Sequence, residues 1–512
     1  MRRGVAILLF ALALACSGGD PPPRKAGRPA RTVPVPVTLE TAELERDLMK
    51  LREGLTRVAE ADTRPAREGP SVVLIVLDTL RADRLGAYGS TDGLTPNLDA
   101  FAAGARVYTE MRSTGAWTLP AHGSLFTGRH PIEHGARGSP SDAETKAFRL
   151  PAAGPPTLAE RLGAAGWRTV GLAANKAFLD RTWGMNRGFD LWLCRDLAAG
   201  VVANYPQADR MTGLAEEALR QAPADRPLFL FLNYMDAHTP WVPREGYTAH
   251  PERIMPKLLP SAPFWRDHQR GRWDKARVAV MSGKRPARGR ELATWQEAYD
   301  AEVRWLDAQV GRLLDQLEAL GHGPDDYTIV LSDHGEFLGE HSLLEHSKDV
   351  YEEVIRVPLM IRGPGFTPGP DPRPIQTQDV PELLLAALGL EPLAPEAATT
   401  DLQVSEQYYA RHRDLGYPKL KERFDKVRRA YVDGPHKLLL SSDGVHEAYD
   451  LSADPAEARS VYGEADWVAP LEARAAAWLG ARVEGEGEGV ELDAAQLEQL
   501  KALGYVDPSS SD

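Results

Sequence analysis

The stretch that decides the fold of this chain runs SVVLIVLD, from Ser71 to Asp78. A continuous run of β-branched and leucine residues is typical of a strand buried on both faces inside a parallel sheet. Similar runs recur at residues 168–173, 228–232, 327–332 and 357–361. Helical patterns, such as residues 157–165 and 298–320, lie between them. Strands that alternate with helices predict an α/β fold with a mostly parallel sheet flanked by helices.

Polar residues follow three of these runs at the point where each run ends. They are Asp78, residues 233–238, and the pair Asp333 and His334. Ligands of open α/β sheets bind beyond the carboxyl ends of the strands, so we expect these side chains to lie close together. Further residues of the same types are Asp236, His238, His341 and His346. Any one of them alone would be an ordinary surface or core residue, but together at strand ends they predict a site for zinc or manganese.

The charge of the chain limits its partners. The formal net charge of the 512 residues is −13, which argues against nucleic acid, because no diffuse positive field attracts a phosphate backbone. An anionic substrate would therefore require cations concentrated in one place, and bound metal ions supply them.

A hydroxyl residue begins a predicted helix in the segment 114–129. Pro120 follows Thr118 closely and favours a helix start at this point. The free amides and the dipole of a helix N-terminus favour an anion there. By itself the segment is equally compatible with a plain threonine N-cap.

The N-terminus has the pattern of an export signal. Arg2 and Arg3 precede a short apolar run that ends at Cys16, and residues 13–16 are similar to a bacterial lipoprotein box. We expect acylation of Cys16, a periplasmic lipoprotein of a Gram-negative cell envelope and, because Ser17 follows, the outer membrane. A cleaved signal that releases a soluble protein is the alternative.

The remaining chain divides into three parts. Residues 17–70 contain a Gly-, Pro- and Arg-rich tether and a short amphipathic helix at 39–61. Residues 71–389 form the predicted catalytic domain, with an insertion at about 242–292. Residues 390–512 alternate like a small antiparallel sheet at 429–432, 436–440 and 447–451, and then predict a terminal helix at 456–481.

Together these segments resemble the sulfatase family over nearly all of residues 71–449. The family's opening metal strand is similar to residues 76–83, its second metal motif to 332–341, and its substrate-contacting segment to 236–240. Its signature, Cys or Ser followed by a Pro-Ser-Arg segment and by Leu-any-Thr-Gly, falls on Thr118, Pro120, Ala121, His122, Leu125, Thr127 and Gly128. The resemblance implies an alkaline-phosphatase-like fold with a small C-terminal antiparallel-sheet α+β subdomain, and a metal-dependent ester hydrolase.

Three positions depart from the sulfatase pattern. Formylglycine is made from Cys or Ser, so Thr118 cannot become the aldehyde hydrate, and His122 and His346 stand where the family has Arg and Lys. Thr118 and His346 instead resemble the phosphodiesterase branch of the alkaline phosphatase superfamily, whose nucleophile is a metal-bound threonine. That resemblance implies one or two divalent ions (Zn, Mn or Ca). One set of ligands would be Asp78, Thr118, Asp333 and His334, and the second would be Asp236, His238 and His346.

The resulting hypothesis is a phosphoester hydrolase in which Thr118 attacks phosphorus and forms a covalent phosphothreonine that water then cleaves. The predicted contacts to the substrate oxygens are His122, His238, Asn175 and Lys176, and His346 is a further predicted catalytic residue. Lys176 is equally well interpreted as a solvated surface charge. Three alternatives stay open: a sulfuric ester hydrolase, a periplasmic transferase of phospho-headgroups, and a non-catalytic binding protein.

Overall fold

The computed structural model describes residues 37–143, 147–194, 197, 206–241, 246–249, 275–394, 401–494, 496–497 and 500. The predicted lipoprotein signal at 1–16, with Cys16, and the tether at 17–36 lie outside these residues, as does most of the predicted insertion. All three stay predictions. Among the described helices, none combines the length and the apolar composition that crossing a membrane requires.

Seventeen strands are present in the described residues. They are β1 (Val72–Leu77), β2 (Arg106–Arg112), β3 (Arg137–Gly138), β4 (Ala147–Arg149), β5 (Arg168–Ala173), β6 (Leu191–Leu193), β7 (Leu228–Tyr234), β8 (Tyr327–Leu331), β9 (Phe337–Leu338), β10 (Leu344–Glu345), β11 (Leu359–Arg362), β12 (Gly369–Gln376), β13 (Gln403–Tyr408), β14 (Val427–Asp433), β15 (His436–Ser441), β16 (Glu447–Asp450) and β17 (Glu488–Gly489).

The named α-helices are α1 (Val37–Ala61), α2 (Pro96–Ala103), α3 (Thr118–Thr127), α4 (Pro131–His134), α5 (Leu158–Ala164), α6 (Ala208–Arg220), α7 (Gly289–Ala319), α8 (Glu352–Ile355), α9 (Asp379–Ala387), α10 (His412–Leu415), α11 (Pro418–Phe424) and α12 (Val468–Gly480). Residues 275–281 are also helical. Short 3₁₀ turns lie at Ala82–Arg84, Gly86–Tyr88, Arg181–Trp183 and Glu340–Ser342.

The central sheet confirms the predicted α/β class. Its order is β12-β2-β11-β8-β1-β7-β5-β6, and β11, which runs antiparallel to both of its neighbours, is the one reversed strand. Strand β1 lies between β7 and β8 and pairs in parallel with both. Every residue of β1 is buried, as expected for a strand covered on both faces.

The parallel pairing brings the polar strand ends to one edge of the sheet. Strands β8, β1, β7 and β5 are neighbours that run in the same direction. Their carboxyl ends lead directly to Asp333, Asp78, Asp236 and Asn175 respectively. These residues are 1% exposed or less, so this edge is a buried polar site.

A second, antiparallel sheet forms the C-terminal subdomain, as predicted. Its order is β13-β14-β15-β16, and α12 packs on it through a small core that includes Tyr431, Leu438 and Trp478. The predicted terminal helix at 456–481 is wrong in its first half, because α12 begins only at Val468. Glu457 and Gly463 have φ values of 48° and 78°, which a right-handed helix does not accommodate.

The first helix is part of the folded catalytic domain. The pattern predicted a helix at 39–61, and α1 spans Val37–Ala61. Leu51 is fully buried, and ion pairs connect α1 to α6, from Arg52 Nε to Glu217 Oε1 at 2.7 Å and from Arg210 Nη2 to Glu43 Oε2 at 2.6 Å. The helix therefore docks on the catalytic domain.

Candidate metal centre and active site

His334 is the centre of the site. Its Nε2 lies 3.6 Å from Asp78 Oδ1, 3.5 Å from Asp333 Oδ2 and 3.4 Å from Thr118 Oγ1. Its Nδ1 lies 3.0 Å from the carbonyl oxygen of Gly335. A carbonyl oxygen can only accept, so Nδ1 carries the proton of the neutral ring and Nε2 presents a lone pair to the two carboxylates.

The donor set fits a divalent cation. One ligand atom each of Asp78, Asp333 and His334 lies within 4.8 Å of the others, and all three residues are buried. Asp78 Oδ1 and Asp333 Oδ2 are buried with no hydrogen-bond partner among the described residues. Buried carboxylate oxygens without partners are costly unless a cation binds them, so these three residues could hold a metal.

Burial changes the acid–base properties of the same residues. It raises the pKa of Asp78 to about 8, with the nearby Asp333 carboxylate adding to the effect. Burial raises the pKa of Asp333 to about 7 and lowers the pKa of His334. Without a cation, the two carboxyl groups hold protons near neutral pH while the imidazole stays neutral. A metal ion that binds here would displace those carboxyl protons.

Thr118 is held beside this group by its position at the start of α3. The residue is fully buried, and Asn175 Nδ2 donates to Thr118 Oγ1 at 3.1 Å and to Asp78 Oδ2 at 2.9 Å. Asn175 is oriented in turn, because its Oδ1 accepts from the amide of Phe178 at 3.2 Å. The predicted nucleophile, metal ligands and Asn175 are therefore brought together.

The contacts of His122 and Lys176 differ from the substrate contacts predicted for them. His122 Nδ1 donates to the Thr118 carbonyl oxygen at 2.9 Å, and its ring packs edge-on against Phe126 and Phe231. Burial lowers the pKa of His122 to about 3, so its Nε2 has no proton to donate to a substrate oxygen. Lys176 Nζ donates to the carbonyl oxygen of Leu197.

Two more histidines extend the cluster from His334. The ring centroid of His346 is 4.5 Å from that of His334 and 4.8 Å from that of His238. His238 Nδ1 donates to the Thr239 carbonyl oxygen, and His346 Nδ1 lies 3.0 Å from Glu336 Oε1. Glu336, fully buried, was not predicted as a site residue. Its position two residues after His334 was the signal that could have identified it.

The predicted second ligand set is not assembled. Asp236 Oδ1 accepts from Trp305 Nε1 at 2.9 Å, while the His346 ring packs against the rings of His334 and His238. The described residues contain one other group with converging ligand atoms, made by His341, Glu353 and Glu457, and there the His341 ring stacks on Tyr351 with centroids 3.8 Å apart. Among the described residues, Asp236, His238 and His346 do not form a group whose ligand atoms all lie within 4.8 Å of one another.

Known proteins resemble this chain in sequence. The family model described as Sulfatase matches residues 70–390. The chain is 24% identical over 437 residues to the ulvan-active sulfatase of Formosa agariphila, covering 78% of each chain. It is 25% identical over 432 residues to the choline-sulfatase of Rhizobium meliloti, covering 76% of this chain and 81% of the relative.

Solved structures share the fold. The phosphonate monoester hydrolase of Agrobacterium radiobacter matches with a TM-score of 0.59 at 23% identity, covering 80% of this chain and 95% of that chain. The chain belongs to the sulfatase family. It is thereby an ester hydrolase of the sulfatase and alkaline phosphatase superfamily.

Proposed function

We propose that this protein is a metal-dependent phosphoester hydrolase that uses the Thr118 hydroxyl as its nucleophile. The observation that carries the proposal is the 3.4 Å approach of Thr118 Oγ1 to His334 Nε2, at the group formed with Asp78 and Asp333. A threonine at this position cannot become formylglycine, so the hydroxyl itself has to act. The likeness in fold to a phosphonate monoester hydrolase supports phosphorus chemistry.

Asp78, Asp333 and His334 would hold the cation, with Thr118 beside it. Mixed carboxylate and imidazole donors suit zinc or manganese better than calcium, which prefers oxygen ligands alone. A divalent cation at this position would offset the charge of an anionic ester and favour deprotonation of a nearby hydroxyl.

The chain's own residues would then carry the reaction. Thr118 Oγ forms a bond to phosphorus while the bond to the leaving oxygen breaks, and the departing alcohol takes up one proton. Water then cleaves the phosphothreonine, which restores the Thr118 hydroxyl and releases the phosphate product. Asn175 Nδ2 orients Oγ, and the free amides at the start of α3 favour the anionic group.

His238 and His346 would line the site next to His334. The His346 ring contacts the rings of both His334 and His238, and both residues are fully buried. Burial lowers the pKa of each imidazole well below its ordinary range, so both would act as neutral polar groups towards the substrate.

The experiment compares two substitutions at one position. Thr118→Val keeps the shape but removes the hydroxyl, and Thr118→Ser keeps the hydroxyl. After metal loading, we expect the rate of bis-nitrophenyl phosphate hydrolysis by Thr118→Val to be about a thousandfold or more below that of the wild type. Thr118→Ser should retain measurable activity. Mass spectrometry of the tryptic peptide checks that the serine is unmodified and detects phosphothreonine in the wild type.

The same assay separates the alternatives. Equal rates for wild type and Thr118→Val would remove the nucleophile assignment, and no turnover of any ester would favour a binding protein. A higher rate on nitrophenyl sulfate than on the phosphates would favour a sulfuric ester hydrolase, in line with the names of the relatives. Faster release of nitrophenol when glycerol is added, with phosphoglycerol as product, would indicate a transferase.

A further inference from the structure

The residue after the first metal ligand has an unusual backbone conformation. Thr79 has a φ of 61°, in the left-handed region that β-branched residues rarely adopt. Among the described non-glycine residues with positive φ, it is the only one with a β-branched side chain. Strain of this kind persists only where surrounding contacts impose it.

The hydroxyl of one distant tyrosine contacts both sides of this turn. Tyr299 OH donates to the Thr79 carbonyl oxygen at 2.8 Å and accepts from the Arg81 amide at 2.9 Å. Tyr299 is fully buried within α7, and it is 220 residues away from Thr79 in sequence. The contact therefore comes from the packing of a separate helix.

The same turn is connected to the second metal ligand. The Thr79 amide donates to Asp333 Oδ1 at 3.3 Å, and Arg81 Nη1 donates to the Glu336 carbonyl oxygen at 3.0 Å. The turn that follows Asp78 thus contacts the segment that carries Asp333 and His334, and a change in its backbone would displace both carboxylates.

We infer that Tyr299 is a positioning residue of the metal centre. Its hydroxyl holds the Thr79 turn in the left-handed conformation, and that conformation directs the Asp78 and Asp333 carboxylates towards His334 Nε2. The inference rests on the metal dependence in the proposed function, but it is independent of the role of Thr118.

The test is a direct measurement of Mn²⁺ binding to full-length protein by calorimetry, without substrate. Tyr299→Phe removes only the hydroxyl, and we expect it to weaken Mn²⁺ binding by about tenfold or more, as for other residues that orient metal ligands. Excess Mn²⁺ should restore most of the esterase activity of this variant.

Tyr88→Phe is the matched control. The Tyr88 hydroxyl is also engaged, because it accepts from the Leu359 amide at 2.7 Å and lies 3.1 Å from the Tyr108 carbonyl oxygen. We expect this variant to lower the melting temperature without weakening Mn²⁺ binding. Equal weakening in both variants would overturn the inference, because it would reflect a general loss of stability.

A second substitution tests the strain itself. Glycine adopts positive φ without a steric penalty, so Thr79→Gly in the Tyr299→Phe background should recover most of the Mn²⁺ affinity. No recovery, or wild-type affinity in Tyr299→Phe alone, would overturn the inference. Failure of the wild type to bind Mn²⁺ would instead contradict the proposed metal dependence, and wild-type rates in Thr118→Val would contradict only the nucleophile.

Discussion

Asp78 and Asp333, which are both buried, each leave one carboxylate oxygen without a hydrogen-bond partner among the described residues. Both oxygens lie within 3.6 Å of the same imidazole nitrogen. Because the carboxyl pKa values are raised, the site without a cation is a proton-binding site near neutral pH. Metal binding and proton release are therefore expected to be coupled.

We expect Mn²⁺ affinity to fall as the pH is lowered. The pKa of Asp78 is about 8 and that of Asp333 about 7, so both carboxyls gain protons between pH 8.5 and pH 6, and those protons compete with the cation. His334 has a lowered pKa and adds no competition in this range. The apparent affinity should drop at least about tenfold over this interval.

Calorimetry in buffers of different ionisation enthalpy measures the protons released on binding. The wild type should release about one proton or more per Mn²⁺ at pH 6.5, and Asp78→Asn should bind more weakly and release fewer. An affinity that is constant between pH 8.5 and pH 6 would contradict the coupling.

At the level of single elements, helix α3, which carries Thr118, is tightly packed. All ten residues of α3 are buried. A Cβ built on Gly123 would lie 2.5 Å from His134 Cε1, so the His134 ring packs directly on the helix backbone. Gly123 therefore allows α4 to approach α3 closely.

Gly123→Ala should destabilise the protein although alanine has the higher helix propensity. The ring of His134 would have to move, and overpacking of this kind costs about 1–3 kcal/mol. Gly213→Ala in α6 is the matched control, because its Cβ would meet Leu44 at an ordinary 3.5 Å, and it should stabilise by up to about 1 kcal/mol. Urea unfolding measures both values, and a stabilised Gly123→Ala would contradict the close packing.

The strands of the central sheet that were predicted from the sequence are those with a continuous apolar run. Strands β1, β5, β7, β8 and β11 were identified this way. Strands β2, β12 and β13 were missed, since β13 has the sequence QVSEQY and β12 has the sequence GPDPRPIQ. All of β13 is nevertheless buried, because its polar side chains form hydrogen bonds to the catalytic domain. Ser405 Oγ, for example, donates to the Ser113 carbonyl oxygen at 2.6 Å.

For the molecule as a whole, the two sheets are joined by a buried charged cluster. Lys437 Nζ on β15 lies 3.0 Å from Glu352 Oε1 on α8 and 2.8 Å from Glu457 Oε1. Glu352 also pairs with Arg112 Nη2 at the end of β2, at 2.8 Å. Because Lys437 is fully buried, its removal would leave carboxylates in the interface with too few cations.

Lys437→Met should lower the free energy of unfolding by about 3 kcal/mol, as expected when one partner of a buried ion pair is lost. Lys421→Met is the control, because Lys421 is 51% exposed and 3.9 Å from Asp425, and it should change stability by less than about 1 kcal/mol. Urea unfolding measures both, and equal effects would show that the cluster does not join the two sheets.

The sequence by itself determined the α/β class, the buried strand β1 and the polar edge of the sheet. Those features depend on apolar runs and on the residues that end them, and neighbouring parallel strands bring such ends together. Only the tertiary structure decided which candidates meet. Asp78, Asp333, His334, Thr118 and Asn175 converge, while Asp236 Oδ1 accepts from Trp305 and Lys176 donates to the Leu197 carbonyl oxygen. Side-chain direction depends on loop conformation and on distant segments, as the contact of Tyr299 with the turn after Asp78 illustrates.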